Sequence, residues 1–209
     1  LPQLRRFLVL GALLYALFGI LDALLMPAHK HAIWFIRFII VGPVLFGTLW
    51  ASFSKSFERF MQPFMTGVLV MAGGGIVWMT AIAPTPVNYD YYAGIILVFM
   101  WGYAFVCVRF MWATLAGWMQ VILYEAVAVW INPVPLDILI SNNFFFISAN
   151  VLGMLACYFI EYYTRRDYFL SKQLENEQEK TTKINRELEK QMADYQIVNR
   201  ELQHEITGH

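Results

Sequence analysis

The stretch Phe159-Ile160-Glu161-Tyr162-Tyr163-Thr164-Arg165-Arg166-Asp167 is where this chain changes character. Before it the sequence is a series of long apolar runs; after it comes a helix-forming run rich in Glu, Lys, Gln and Leu. Nine Lys or Arg and six Asp or Glu precede Asp167, and six and nine lie from Asp167 onward. The last 43 positions therefore carry half of the charges on a chain that is 59% hydrophobic and of zero net charge. So apolar a composition is too rich for an ordinary soluble domain. Two parts follow: residues 1–166, membrane-embedded, and residues 167–209, a charged helix.

Working back from the exit, six runs approach the roughly 20 apolar residues that a membrane helix needs. They are Phe7–Met26, Ala32–Phe53, Pro63–Ala83, Tyr92–Val108, Phe110–Ile131 and Phe144–Tyr163. Pro27-Ala28-His29, Pro84-Thr85-Pro86 and Asn132-Pro133-Val134-Pro135 break helices between them. Only Arg109 separates the fourth run from the fifth. Fused, they would make a helix about twice the length a bilayer holds. The expected fold is all-α, a six-helix transmembrane bundle followed by a long cytoplasmic coiled-coil helix.

Lys and Arg set the direction. With the N-terminus inside, the inner connectors hold Arg5, Arg6, Lys55, Arg59, Arg109, Arg165 and Arg166, against Lys30 alone outside. Both termini are then expected in the cytoplasm. Trp34, Tyr89, Tyr91, Tyr92 and Trp130 fall near the outer interface, as aromatic belts do. Gly73-Gly74-Gly75 in the third run predicts close helix approach. Cys107 and Cys157 lie in apolar runs without metal-ligand spacing and read as small core residues.

Ionisable groups inside a span are costly, which makes each a candidate for function. Asp22 and Arg37 sit at similar depth on two runs joined by a short connector, so they are expected to pair. Glu125, Asn143 and Asn150 fall in the same outer half. Asp22, Arg37, Glu125, Asn143 and Asn150 together form a candidate pocket for a small, partly apolar ligand. The plainer reading is a set of structural ion pairs and interhelical hydrogen bonds. His29 and His31, two apart in a loop, are weak metal ligands. No metal, cofactor or nucleic-acid partner is expected, and no catalytic residue.

In the tail, Leu174, Thr181, Leu188, Tyr195 and Leu202 recur every seven residues, one core position of a heptad. Counting forward three adds Ile184 and Val198 but also Glu177, Gln191 and Glu205. Counting back three adds Met192 and Ile206 but also Ser171, Gln178, Asn185 and Asn199. The core of the forward register is Leu174, Thr181, Ile184, Leu188, Tyr195, Val198 and Leu202. A lone polar helix of this length is not stable by itself, so a parallel homodimer is expected. A half-apolar seam suits a helix that switches between two registers.

The stretch Asn142-Asn143-Phe144-Phe145-Phe146-Ile147-Ser148-Ala149-Asn150, the exit Glu161–Asp167 and the charged helix resemble the membrane input modules of bacterial one-chain signalling proteins. Such modules precede class III adenylate cyclases, GGDEF diguanylate cyclases and sensor histidine kinases. The resemblance implies a sensor and dimerisation module that signals through the coiled coil to a catalytic domain beyond His209. This fragment, starting at Leu1 and stopping at His209, would itself be no enzyme. His204-Glu205 looks only faintly like a phosphoacceptor pair, because Ile206-Thr207-Gly208 departs from the usual continuation. A passive anchor and dimeriser is the alternative, and a transporter subunit, which would want internal repeats, a weaker one.

Overall fold

The computed structural model describes residues 2–106 and 108–207, and omits the side chains of residues 198 and 201–207. All regular structure among the described residues is helical. Six helical rods follow one another: α1 (Pro2–Leu25), α2 (Lys30–Ala51), α3 (Phe57–Ile82), α4 (Tyr92–Ala104), α5 (Phe110–Ile131) and α6 (Leu136–Thr207). Residues 1–161 form one compact unit and residues 162–209 a second.

The chain turns back and forth between two ends of the first unit. At one end Arg5 grips Ser52, donating from Nη2 to its carbonyl at 2.8 Å and from Nε to its hydroxyl at 3.2 Å. The α4–α5 turn lies at the same end: the Arg109 N–H donates to Gln62 at the start of α3 (2.8 Å), and the Phe110 N–H to Glu161 of α6 (2.7 Å). At the other end Asn132 donates to the Thr80 and Ala83 carbonyls, which the end of α3 would otherwise leave open.

Helix α3 is the centre and packs on α2, α4 and α5. Its glycine triplet shows why: a Cβ on Gly73 would collide with Gln120, and one on Gly75 would come within 2.6 Å of Val41, while Gly74 faces open space. Two rods contain wide π turns, Phe35–Val41 in α2 and Val127–Ile131 in α5. Each precedes a proline, Pro43 or Pro133, which has no N–H to donate and whose ring crowds the preceding turn, so the helix loosens ahead of it.

The first 26 residues of α6 lie along α4 and α5 on one stripe. Asn142, Phe146 and Asn150 are buried at successive turns, and Cys157 two turns further on. Phe146 stacks between Phe99 and Tyr124, with ring centroids 4.9 and 5.2 Å away. Gly153 admits the Tyr103 ring.

Outward faces are apolar, as a lipid-facing surface requires: Leu24, Ile39, Leu152 and many like them are exposed. Trp50 and Trp130, at opposite ends, are 82% and 80% exposed, placed as interfacial anchors are. Five rods are long and apolar enough to cross a membrane. The fourth is not: α4 has 13 residues and ends at Ala104, short of the Val108 expected from hydropathy. Hydropathy does not register that the turn after Ala104 has polar partners, Gln62 and Glu161, for its backbone. The sixth helix starts at Leu136 rather than Phe144 and continues unbroken into the charged segment. Along that segment the described residues from Tyr162 onward are exposed in the single chain. Leu174, Thr181, Ile184, Leu188 and Tyr195 are among them, whereas the side chains of Val198 and Leu202, and residue Cys107, lie outside the described residues.

Candidate ligand site

Asp22 and Arg37 meet. Arg37 Nε donates to Asp22 Oδ2 at 2.7 Å, and both side chains are almost fully buried. The short connector between α1 and α2 makes the rods antiparallel neighbours, and the π turn of α2 carries Arg37. The rest of the guanidinium is spoken for: Nη1 donates to the Tyr15 carbonyl (2.9 Å), Nη2 faces the Met79 thioether (3.6 Å), and the plane covers the Tyr15 ring. Trp34 donates to the Gly19 carbonyl (2.8 Å) and braces the same pair of rods.

Asp22 has a second partner from far along the chain. The Tyr91 hydroxyl donates to Asp22 Oδ1 at 2.8 Å. Tyr91 sits in the connector before α4. Burial first, then the Asp22 charge, pushes its pKa upward, so it stays a donor. Two residues earlier in that connector, the Tyr89 carbonyl accepts from Asn142 of α6 at 3.1 Å, and Asn142 donates also to the Tyr124 hydroxyl. One short segment, Tyr89–Tyr91, thus ties the α1–α2 ion pair to α6.

The other expected members do not join the ion pair. Asn150 is fully buried but bonds Tyr103, whose hydroxyl donates to Asn150 Oδ1 at 2.6 Å, against Gly117. Glu125 is half-buried, with Oε1 lacking a hydrogen-bond partner. Asn143 is half-buried, and its neighbour Asn142 faces the interior instead. One residue on a helix turns a side chain by roughly 100°, so the adjacent asparagines face different surroundings. Sequence reasoning missed Asn142, Tyr91 and Gln120. The signal for Asn142 was present in its spacing of four to Phe146 and eight to Asn150.

The ion pair forms part of the wall of a cavity of about 490 Å³ between α1 and α4, otherwise mostly apolar. Ligand sites commonly span roughly 300–1,000 Å³. A second cavity, about 330 Å³, lies between α1 and α2 on the other side of Tyr15 and Arg37. Helix α1 is therefore lightly packed along its middle. Among the described residues no group of three or more His, Cys, Asp or Glu is placed to hold a metal.

The family model MASE8 matches residues 20–175, from just before Asp22 into the charged segment of α6. No curated protein matches the chain, and no solved structure does.

Proposed function

The chain belongs to the MASE8 family, a family of membrane-associated sensor domains, and from that premise we propose that it senses through α1 and signals through α6. The observation that carries this reading is the Asp22–Arg37–Tyr91 network. It lines a ligand-sized cavity and is bonded, through the Tyr89–Tyr91 segment, to the helix that continues into the charged tail. A stimulus that alters the packing of α1 would act on Asp22, then on the connector, then on Asn142. The two states of α6 must differ in affinity for the stimulus, or no signal results. The tail pairs with that of a second copy as a parallel coiled coil and drives a cyclase or histidine kinase domain.

Six membrane crossings are part of the proposal, with both termini in the cytoplasm. Helix α4 rises only roughly 20 Å. Support comes from contacts between α1 and the Tyr91–Phe105 segment at both ends of their run: Tyr91 with Asp22, and Phe105 with Phe7 at 5.4 Å between ring centroids. The segment thus runs antiparallel to α1.

The test is a fusion of residues 1–209 to a cyclase catalytic domain, with Asp22→Ala, Arg37→Ala and Tyr91→Phe. The sensor reading expects basal output, or its response to culture extracts, to change. Unchanged output from folded, dimeric variants leaves only a passive anchor.

A further inference from the structure

The cavity between α1 and α4 has a shape and a polarity that restrict its occupant. Its floor is closed where the two rods touch: the Trp101 indole lies where a Cβ on Gly11 would be, and Phe7 and Phe105 meet below. Its top is bridged by Asp22, Arg37 and Tyr91. Between Gly11 and Asp22 the slot runs roughly 16 Å along the helix axis, at 1.5 Å per residue. The walls between are Leu14, Phe18, Leu97 and Val98. Such a slot takes one extended apolar chain better than a compact molecule.

The rim decides the head. Both Asp22 oxygens are engaged, by Arg37 and by Tyr91. Asp90, exposed beside Tyr91, also lines the cavity, and no hydrogen bond engages its carboxylate among the described residues. Lys30, at the same end, does not line the cavity. With the Asp22–Arg37 pair neutral overall, Asp90 leaves the rim with one net negative charge. A carboxylate or phosphate head would be repelled there, while a hydroxyl or amide head can donate to Asp90. We infer that the slot seats a single-chain amphiphile whose hydrogen-bond-donating head carries no negative charge, its tail between α1 and α4 and its head beside Asp90. This rests on the sensor reading, for which it names the ligand class.

The probe is dodecanol bearing a photoreactive diazirine in its tail, added to the chain in phosphatidylcholine nanodiscs, with adducts mapped by peptide mass spectrometry. Adducts are expected on α1 and α4 near Leu14 and Leu97, displaced by excess dodecanol and not by dodecanoate. Ala93→Trp, which fills the mouth from an exposed position, should lower labelling about tenfold or more. Asp90→Lys should let dodecanoate compete, which shows that the variant still binds. The inference is overturned if adducts spread equally over positions outside the slot, such as Leu13 and Leu152, without competition. Dodecanoate displacing the probe from the unaltered chain also overturns it, since the rim would then accept an anionic head. Failure of the two readings can be told apart. Saturable dodecanol binding without any change in the fused cyclase's output sinks the sensor and keeps the site. Output that responds to Asp22→Ala in a chain that binds no dodecanol sinks the site and keeps the sensor.

Discussion

Asp22 and Arg37 stand 15 positions apart in the chain and close a buried ion pair of 2.7 Å between α1 and α2. Removing one partner of such a pair strands the other charge, at a cost of about 3–5 kcal/mol, whereas replacing both by apolar residues is often nearly neutral. Arg37→Leu and Asp22→Leu should each lower stability strongly in reversible denaturation from mixed micelles, with the double variant recovering most of the loss. Equal losses in single and double variants would mean that packing, and not charge, dominates.

The glycine triplet in α3 supplies a contrast within three adjacent positions. Gly74→Ala meets nothing and should be neutral or stabilising by up to about 1 kcal/mol through helix propensity. Gly73→Ala collides with Gln120, and Gly75→Ala with Val41, so each should cost about 1–3 kcal/mol. Thermal unfolding of the three variants side by side checks this. Three equal effects would contradict the packing of α3 against α2 and α5.

Topology is tested by single cysteines in a background with Cys107 and Cys157 replaced by serine. Positions 55, 109 and 166 should be labelled by an impermeant maleimide only from the cytoplasmic side. Positions 30, 90 and 133 should be labelled only from the other. If 109 labels with 90, α4 does not cross.

The seam of the charged helix is read by disulfide cross-linking. In the forward register Ile184→Cys and Leu188→Cys should cross-link between copies, and Asn185→Cys should not. Strong cross-linking at 185 with weak cross-linking at 184 would select the backward register. Salt should change the yields at 184 and 188 little, because Thr181, Ile184, Leu188 and Gln191 around them in the forward seam are uncharged.

Much of this was legible in the residues. Hydropathy located the rods, because lipid-facing helices must be apolar along a whole span. The Asp22–Arg37 pair was legible because a short connector fixes two depths against each other. The Tyr91 bond to Asp22 was not: the residues are 69 positions apart, and an interfacial tyrosine gives no sign of turning inward. Asn142 and Asn143 were ambiguous because both are polar and adjacent, and only packing on Tyr124 and Tyr89 selects one. The length of α4 was illegible because an apolar run shows nothing of where its backbone finds Gln62 and Glu161.

In the proposed sensor, the ion-pair network and the pairing of the charged helix behave as one coupled system. Spin labels at Lys183→Cys, in the chain reconstituted in vesicles, measure it most directly by electron–electron distance spectroscopy. A defined interchain distance is expected in the otherwise unaltered protein, and a shifted or broadened distribution with Arg37→Ala. No interchain distance, or superimposable distributions in the two, would contradict it.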